Sequence, residues 1–147
     1  MPRKLWFVLI MGILTSSLVA ACSASASQPA AELKMAPESQ LPTEIKDAPA
    51  NVKEAYRFAV ANPELMKEIP CFCGCVASGH TSNYSCYVNE DGSPAGILQY
   101  DDHALGCGIC VDITQDVMKM VQEGKPVDEM RAIINDRYGS FGPSTDE

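Results

Sequence analysis

Between Pro70 and Cys110 the chain places six cysteines: C-x-C-x-C at Cys71, Cys73 and Cys75, then Cys86, then C-x-x-C at Cys107 and Cys110. Both histidines of the chain, His80 and His103, fall in the same interval. The apolar patterning around this interval covers only about residues 49–141, a length at which burial alone often leaves a domain needing a covalent or metal staple. Any fold this chain adopts must therefore give those thiols something to do.

Three chemistries suit them. Paired as disulfides, Cys71, Cys73 and Cys75 would each need a distant partner, because bridges between such near neighbours are strained. Only Cys86, Cys107 and Cys110 are on offer, and three bridges would crowd into one knot. Around a metal ion, sulfurs bound at ~2.3 Å must approach within about 4 Å of one another. Residues i and i+2 of an extended strand lie roughly 6.6–6.8 Å apart, so the CFCGC segment has to curl, with Pro70 as its start and Gly74 as its flexible point. C-x-x-C at a helix start is a familiar half-site, and the helix N-terminus favours thiolate, the liganding form. Thiolates with imidazole support suit Cu(I) or Zn(II). The candidate donors, Cys71, Cys73, Cys75, His80, Cys86, His103, Cys107 and Cys110, exceed what one tetrahedral ion takes, so two ions or a small cluster are open. In the third chemistry, Cys107 and Cys110 form a redox-active pair, although no βαβ pattern surrounds them.

The start of the chain sets the compartment. Arg3 and Lys4 precede a short apolar run, LWFVLIMGIL, too short for an ordinary spanning helix. Val19-Ala20-Ala21-Cys22 resembles the lipobox of bacterial lipoproteins. That resemblance implies a signal peptide over 1–21, cleavage before Cys22, and a thioether-linked diacylglycerol on Cys22, with an N-linked acyl chain such as palmitate. The expected location is the extracytoplasmic face of a bacterial membrane, with membrane lipid as the partner of Cys22. Without Arg3 and Lys4, 9 basic and 19 acidic residues leave a formal charge of −10. This excludes nucleic-acid binding, which needs clustered Lys and Arg.

Residues 22–48 are rich in Ala, Ser and Pro and read as a disordered tether, with a reach of roughly 25–30 Å. Residues 142–147 read as a flexible tail. In between, the expected fold is α+β, mainly α: one small domain with N-terminal helices, a cysteine-rich loop with a short β-hairpin, and a C-terminal antiparallel helix hairpin. PANVKEAYRFAVAN (49–62) puts Val52, Ala55, Tyr56 and Ala59 on one helical face. Asn62-Pro63 opens a short helix through Glu68, stopped by Pro70. SCYV and GILQY, around NEDGSPA, suggest the paired strands. Ile109, Ile113, Val117, Met120 and Val121 form a stripe ended by Gly124. Val127, Met130, Ile133, Ile134 and Tyr138 form a second, with Gly139 as the C-terminal cap. Methionines in these stripes read as core rather than as copper ligands.

PCFCGC, SGHTSNYSC and DDHALGCGICVDI together resemble the bacterial PCYCGC-motif lipoproteins, with Phe72 in place of the motif's tyrosine. That family is defined by its motif and implies no activity. VQEGKPVDEMRAIINDRYGSF (121–141) is similar to the closing helix pair of cytochrome c maturation thiol-oxidoreductases, which also end in Arg-Tyr-Gly-x-Phe. Their Leu-Arg-Cys-x-x-Cys motif is matched only loosely by Leu105–Cys110. Gly106 stands for the arginine, and the following segment is shorter.

The reading that follows is a lipid-anchored protein holding a thiophilic ion, copper(I) or zinc, for storage, delivery or structure. Cys71, Cys73, Cys75, Cys107 and Cys110 are expected as direct ligands, and Cys86, His80 and His103 as the remainder. Asp101 and Asp102 are candidates to orient the His103 ring. The alternative is thiol–disulfide exchange through Cys107 and Cys110 in the maturation of a metal- or haem-protein client. Hydrolytic catalysis is not expected, because thiolate-rich sites leave no open coordination position.

Overall fold

The computed structural model describes residues 31–90 and 97–146, apart from the side chain of Cys75. The expected signal peptide, the expected lipidation site Cys22 and the expected hairpin turn over 91–96 therefore lie outside the described residues.

The fold is mainly helical. Helices α1 (Thr43–Lys46), α2 (Ala50–Ala61) and α3 (Pro63–Lys67) precede the cysteine loop, and α4 (His103–Gly106), α5 (Gly108–Gln122) and α6 (Val127–Tyr138) follow it. The apolar period of α2 buries Val52, Ala55, Tyr56, Phe58 and Ala59, and this face packs against α5. On α5, Ile113, Val117, Met118 and Met120 are buried; α6 adds Met130, Ile134 and Tyr138. The methionines are core, as expected.

Helix α5 ends in a Schellman motif. Gly124 takes a left-handed φ of 71°. The Lys125 N–H donates to the Met120 carbonyl and the Gly124 N–H to that of Val121, both at 3.0 Å. A short connection then turns the chain into α6, which packs back on α5. Gly139 is the C-terminal cap of α6, as expected, but with a right-handed φ of −59°; of these two helices, α5 is the one that ends on a left-handed glycine. Pro63 opens α3 at its first helical position, and Asn62 stands at the N-cap without a side-chain cap hydrogen bond. Its side-chain N–H groups donate instead to the Phe58 and Lys34 carbonyls, at 2.7 and 2.9 Å.

Three expectations are revised. The β-hairpin reduces to a single antiparallel bridge between Val88 and Tyr100, with no longer strand among the described residues. Residues 84–86 turn as a 3-10 helix that buries Tyr84 and Cys86, while Ile97 and Leu98 are 59% and 42% exposed; neither side has a face to pair in a sheet. The tether is shorter than expected, because the chain is pinned onto the domain from residue 31. Ala36 and Arg57 exchange hydrogen bonds at 2.9 and 2.7 Å, and Leu41 and Ile45 are buried, each contributing about 1.5–3 kcal/mol. The tail is ordered too: Thr145 is buried, and Arg131 donates to the Asp146 carboxylate at 2.8 Å. Among the described residues, no helix is long and apolar enough to cross a membrane.

Candidate metal centre

The cysteine loop starts at Ile69-Pro70, both buried, where the Asn83 N–H donates to the Ile69 carbonyl at 2.8 Å. Cys71 is then gripped by the far end of the chain. Its N–H donates to Thr145 Oγ1 at 2.9 Å, and its carbonyl accepts from the Thr145 N–H at 3.1 Å. Three residues on, Gly74 adopts a left-handed φ of 79°, a conformation costly for any other residue. The expected curl is therefore present. The sulfurs of Cys71 and Cys73 lie 3.3 Å apart, half the span an extended segment would impose.

Other elements deliver the remaining donors. Cys86, on the 3-10 turn, directs its thiol at Cys71 Sγ at 3.7 Å. Cys110, in the first turn of α5, stands 3.6 Å from the same sulfur. These separations are far beyond the ~2.0 Å of a disulfide. They match the ~3.8 Å edge of a tetrahedron of sulfurs around an ion at ~2.3 Å. His103 begins α4, and its Nε2 lies 3.5 Å from Cys73 Sγ. The donor atoms form three close sets, each within 4.8 Å: Cys71, Cys73, Cys86 and Cys110; Cys73, His103, Cys107 and Cys110; and His80, Cys86 and His103. Seven of the eight predicted donors are thus brought together. The eighth, Cys75, has its side chain outside the described set.

Asp101 does a different job from the one expected. Its Oδ1 accepts from the His103 backbone N–H at 2.8 Å, an Asx turn that starts α4, and its Oδ2 lies 3.7 Å from His80 Nε2. It faces the ring of His80 rather than that of His103, and Asp102 is exposed. The Tyr56 hydroxyl on α2 donates to the Asp101 carbonyl at 2.8 Å, tying this turn to the core. His80 Nδ1 is buried without a hydrogen-bond partner. A polar recess of about 250 Å³ opens beside it, with Ser78, Thr81, Ser85, Glu90 and Asp101 in its wall.

A buried polar network backs Cys110. The Tyr87 hydroxyl lies 2.9 Å from the Cys110 carbonyl and 2.7 Å from Thr114 Oγ1, which in turn donates to Asn83 Oδ1 at 2.9 Å. Asn83, Tyr87 and Thr114 are wholly buried, and burial pushes the Tyr87 hydroxyl far above its ordinary pKa, so it stays a donor. The Cys110 thiol corrects the expectation of a lowered pKa at a helix start. Contact with Cys71 lowers it, contact with Cys73 raises it, contact with Cys86 lowers it again and burial raises it, for a net rise.

Asn83, Tyr87, Thr114 and Thr145 are supporting residues that the sequence reading missed. Nothing local marks them, since Asn and Thr near turns and helix starts are ordinarily exposed. Only the proximity of Asn83 and Tyr87 to Cys86 in SNYSCY was visible.

Fold and site together define a class: a small, mainly helical protein organised around a thiol–imidazole cluster that could hold a metal ion. Over residues 11–147 the chain matches the family described as "Protein of unknown function with PCYCGC motif", and it belongs to that family. No curated protein and no solved structure matches it. The likeness of α5 and α6 to thiol-oxidoreductases stays an expectation from sequence.

Proposed function

We propose that this protein is a bacterial lipoprotein, anchored through Cys22 on the extracytoplasmic face of a membrane, that binds a thiophilic ion of the Cu(I) or Zn(II) type. Its task is storage or delivery to a metal- or haem-protein client. The observation that carries the reading is the set of sulfur separations of 3.3, 3.6 and 3.7 Å about Cys71, the spacing of thiolates around one ion. Cys71, Cys73, Cys86, Cys107, Cys110 and His103 would hold the metal. The polar recess beside His80, with Asp101 and Glu90 in its wall, is the entry we assign to the cation. Four-donor sets leave no open coordination position, so the ion is held rather than used as a Lewis acid. Cys71, Cys86 and Cys110 are buried, whereas Cys73, His103 and Cys107 are half-buried, which puts the exchangeable edge of the cluster toward a client.

The test is metal content and free-thiol count on one anaerobically purified sample of the full chain. The expected result is stoichiometric copper or zinc, lost on Cys73→Ser. Absence of copper, zinc and iron would overturn the reading. So would thiol exchange that depends on Cys107 and Cys110 but survives substitution of Cys71 and Cys73.

A further inference from the structure

The two four-membered donor sets overlap in a specific way. Cys71, Cys73, Cys86 and Cys110 form an inner set, and Cys73, His103, Cys107 and Cys110 an outer one. Two independent tetrahedral ions need about eight donors, whereas these sets supply six different side chains. Among the described residues, two ions held by these six side chains share two donors. Both shared positions, Cys73 and Cys110, are cysteines. Thiolate sulfur has several lone pairs and bridges two metals, whereas an imidazole nitrogen has a single one and binds one. The histidine falls at a terminal position, where a non-bridging donor belongs. The third set, His80, Cys86 and His103, adds only His80 to these six, and His80 Nε2 faces Asp101.

Resting on the metal-binding reading above, we propose that the site is dinuclear. Two thiophilic ions are joined by bridging thiolates of Cys73 and Cys110. The inner ion is completed by Cys71 and Cys86, the outer by Cys107 and His103. Loading is acid–base chemistry: each of the five thiols passes its proton to solvent as its sulfur binds, and no electron moves. Five thiolates and a neutral imidazole then carry five negative charges. Two divalent ions leave one of these uncompensated and two monovalent ions leave three. Because uncompensated charge is costly where Cys71, Cys86 and Cys110 are buried, the cluster suits a divalent pair better. The inner ion is enclosed and the outer one lies at the half-buried edge, so the outer leaves first.

The experiment loads the full chain, reduced and anaerobic in detergent, with ¹¹³Cd²⁺ as the probe. Ions are counted by native mass spectrometry and the sample is observed by cadmium NMR. Two ions per chain are expected, with two resonances of different shift and mutual scalar coupling, which requires a shared sulfur. Replacing His103 by Ala together with Cys107 by Ser should leave one ion, the inner. Cys73→Ser, which leaves Cys110 as the one bridge, should reduce the coupling, and replacing Cys110 by Ser as well should abolish it. One ion per chain, three ions, or two uncoupled resonances would overturn the dinuclear proposal while leaving the metal-binding reading intact; no bound ion would overturn both. The coupling is read on the unaltered protein, so the outcome does not depend on any variant folding.

Discussion

Asp116 carries an unusual load for one residue of this chain. Nearly buried on α5, it accepts from the Tyr138 hydroxyl at 2.8 Å, from the Arg137 guanidinium, and from Lys119 at 3.3 Å. Burial works against its charge, but these three donors outweigh it and hold the carboxyl below its ordinary value of 3.8. A depressed folded pKa has a definite sign: its stabilisation is complete above the ordinary carboxylate value and is lost as pH falls through the folded one. Asp116→Asn is therefore expected to cost about 1–3 kcal/mol at neutral pH and progressively less below pH ~4. Urea unfolding of both chains at pH 7 and pH 3 checks this, and a cost that does not change with pH would sink it. Little of this was readable beforehand, since an aspartate inside an amphipathic helix normally faces water. The cysteines and histidines stood out because their chemistry and spacing are rare. Asn83 and Tyr87 are common residue types whose roles come from what lies across from them.

Among the elements, the C-terminal tail departs furthest from expectation. Six residues with no apolar period read as flexible, yet Thr145 clasps both backbone groups of Cys71 across 74 positions of chain. Gly142 lies close to the Phe72 carbonyl, where an added Cβ would come within 2.9 Å. Ending the chain before Pro143 removes two hydrogen bonds that hold the first ligand of the cluster. It is expected to weaken metal binding about tenfold, the equivalent of roughly one net hydrogen bond. Chelator competition titrations on the truncated and full chains measure this, with Thr145→Ser expected to retain wild-type affinity. Equal affinity for the truncated chain would mean that the clasp is irrelevant to the site. Helices α2, α5 and α6, by contrast, follow closely from their 3.6-residue apolar periods and from the Gly124 cap. These signals are local, and packing reinforces them. The hairpin failed because Tyr84, Cys86 and Tyr87 are drawn inward by the core and the cluster, which overrides the strand propensity of SCYV.

At the scale of the molecule, the cluster joins the loop, the 3-10 turn, α4 and α5. Bound metal should therefore stabilise the whole fold rather than one segment. With free ion at about a hundred times its Kd, mass action supplies ~2.7 kcal/mol. In a domain of this size that raises the melting temperature by roughly 10 °C or more. Calorimetry with zinc and then with excess chelator tests this, and coincident melting curves would show that binding is not coupled to folding. The chain alone determined the mainly helical class, the principal helices, the family likeness and the donor list, because each rests on local periodicity or on rare side chains at fixed spacing. Tertiary structure alone decided how the donors divide, that Cys73 and Cys110 belong to two sets, and that Asp101 turns to His80. It also decided that a distant threonine holds Cys71. These are contacts between residues far apart in sequence, settled only when α2 and α5 pack together and the loop closes over the first turn of α5.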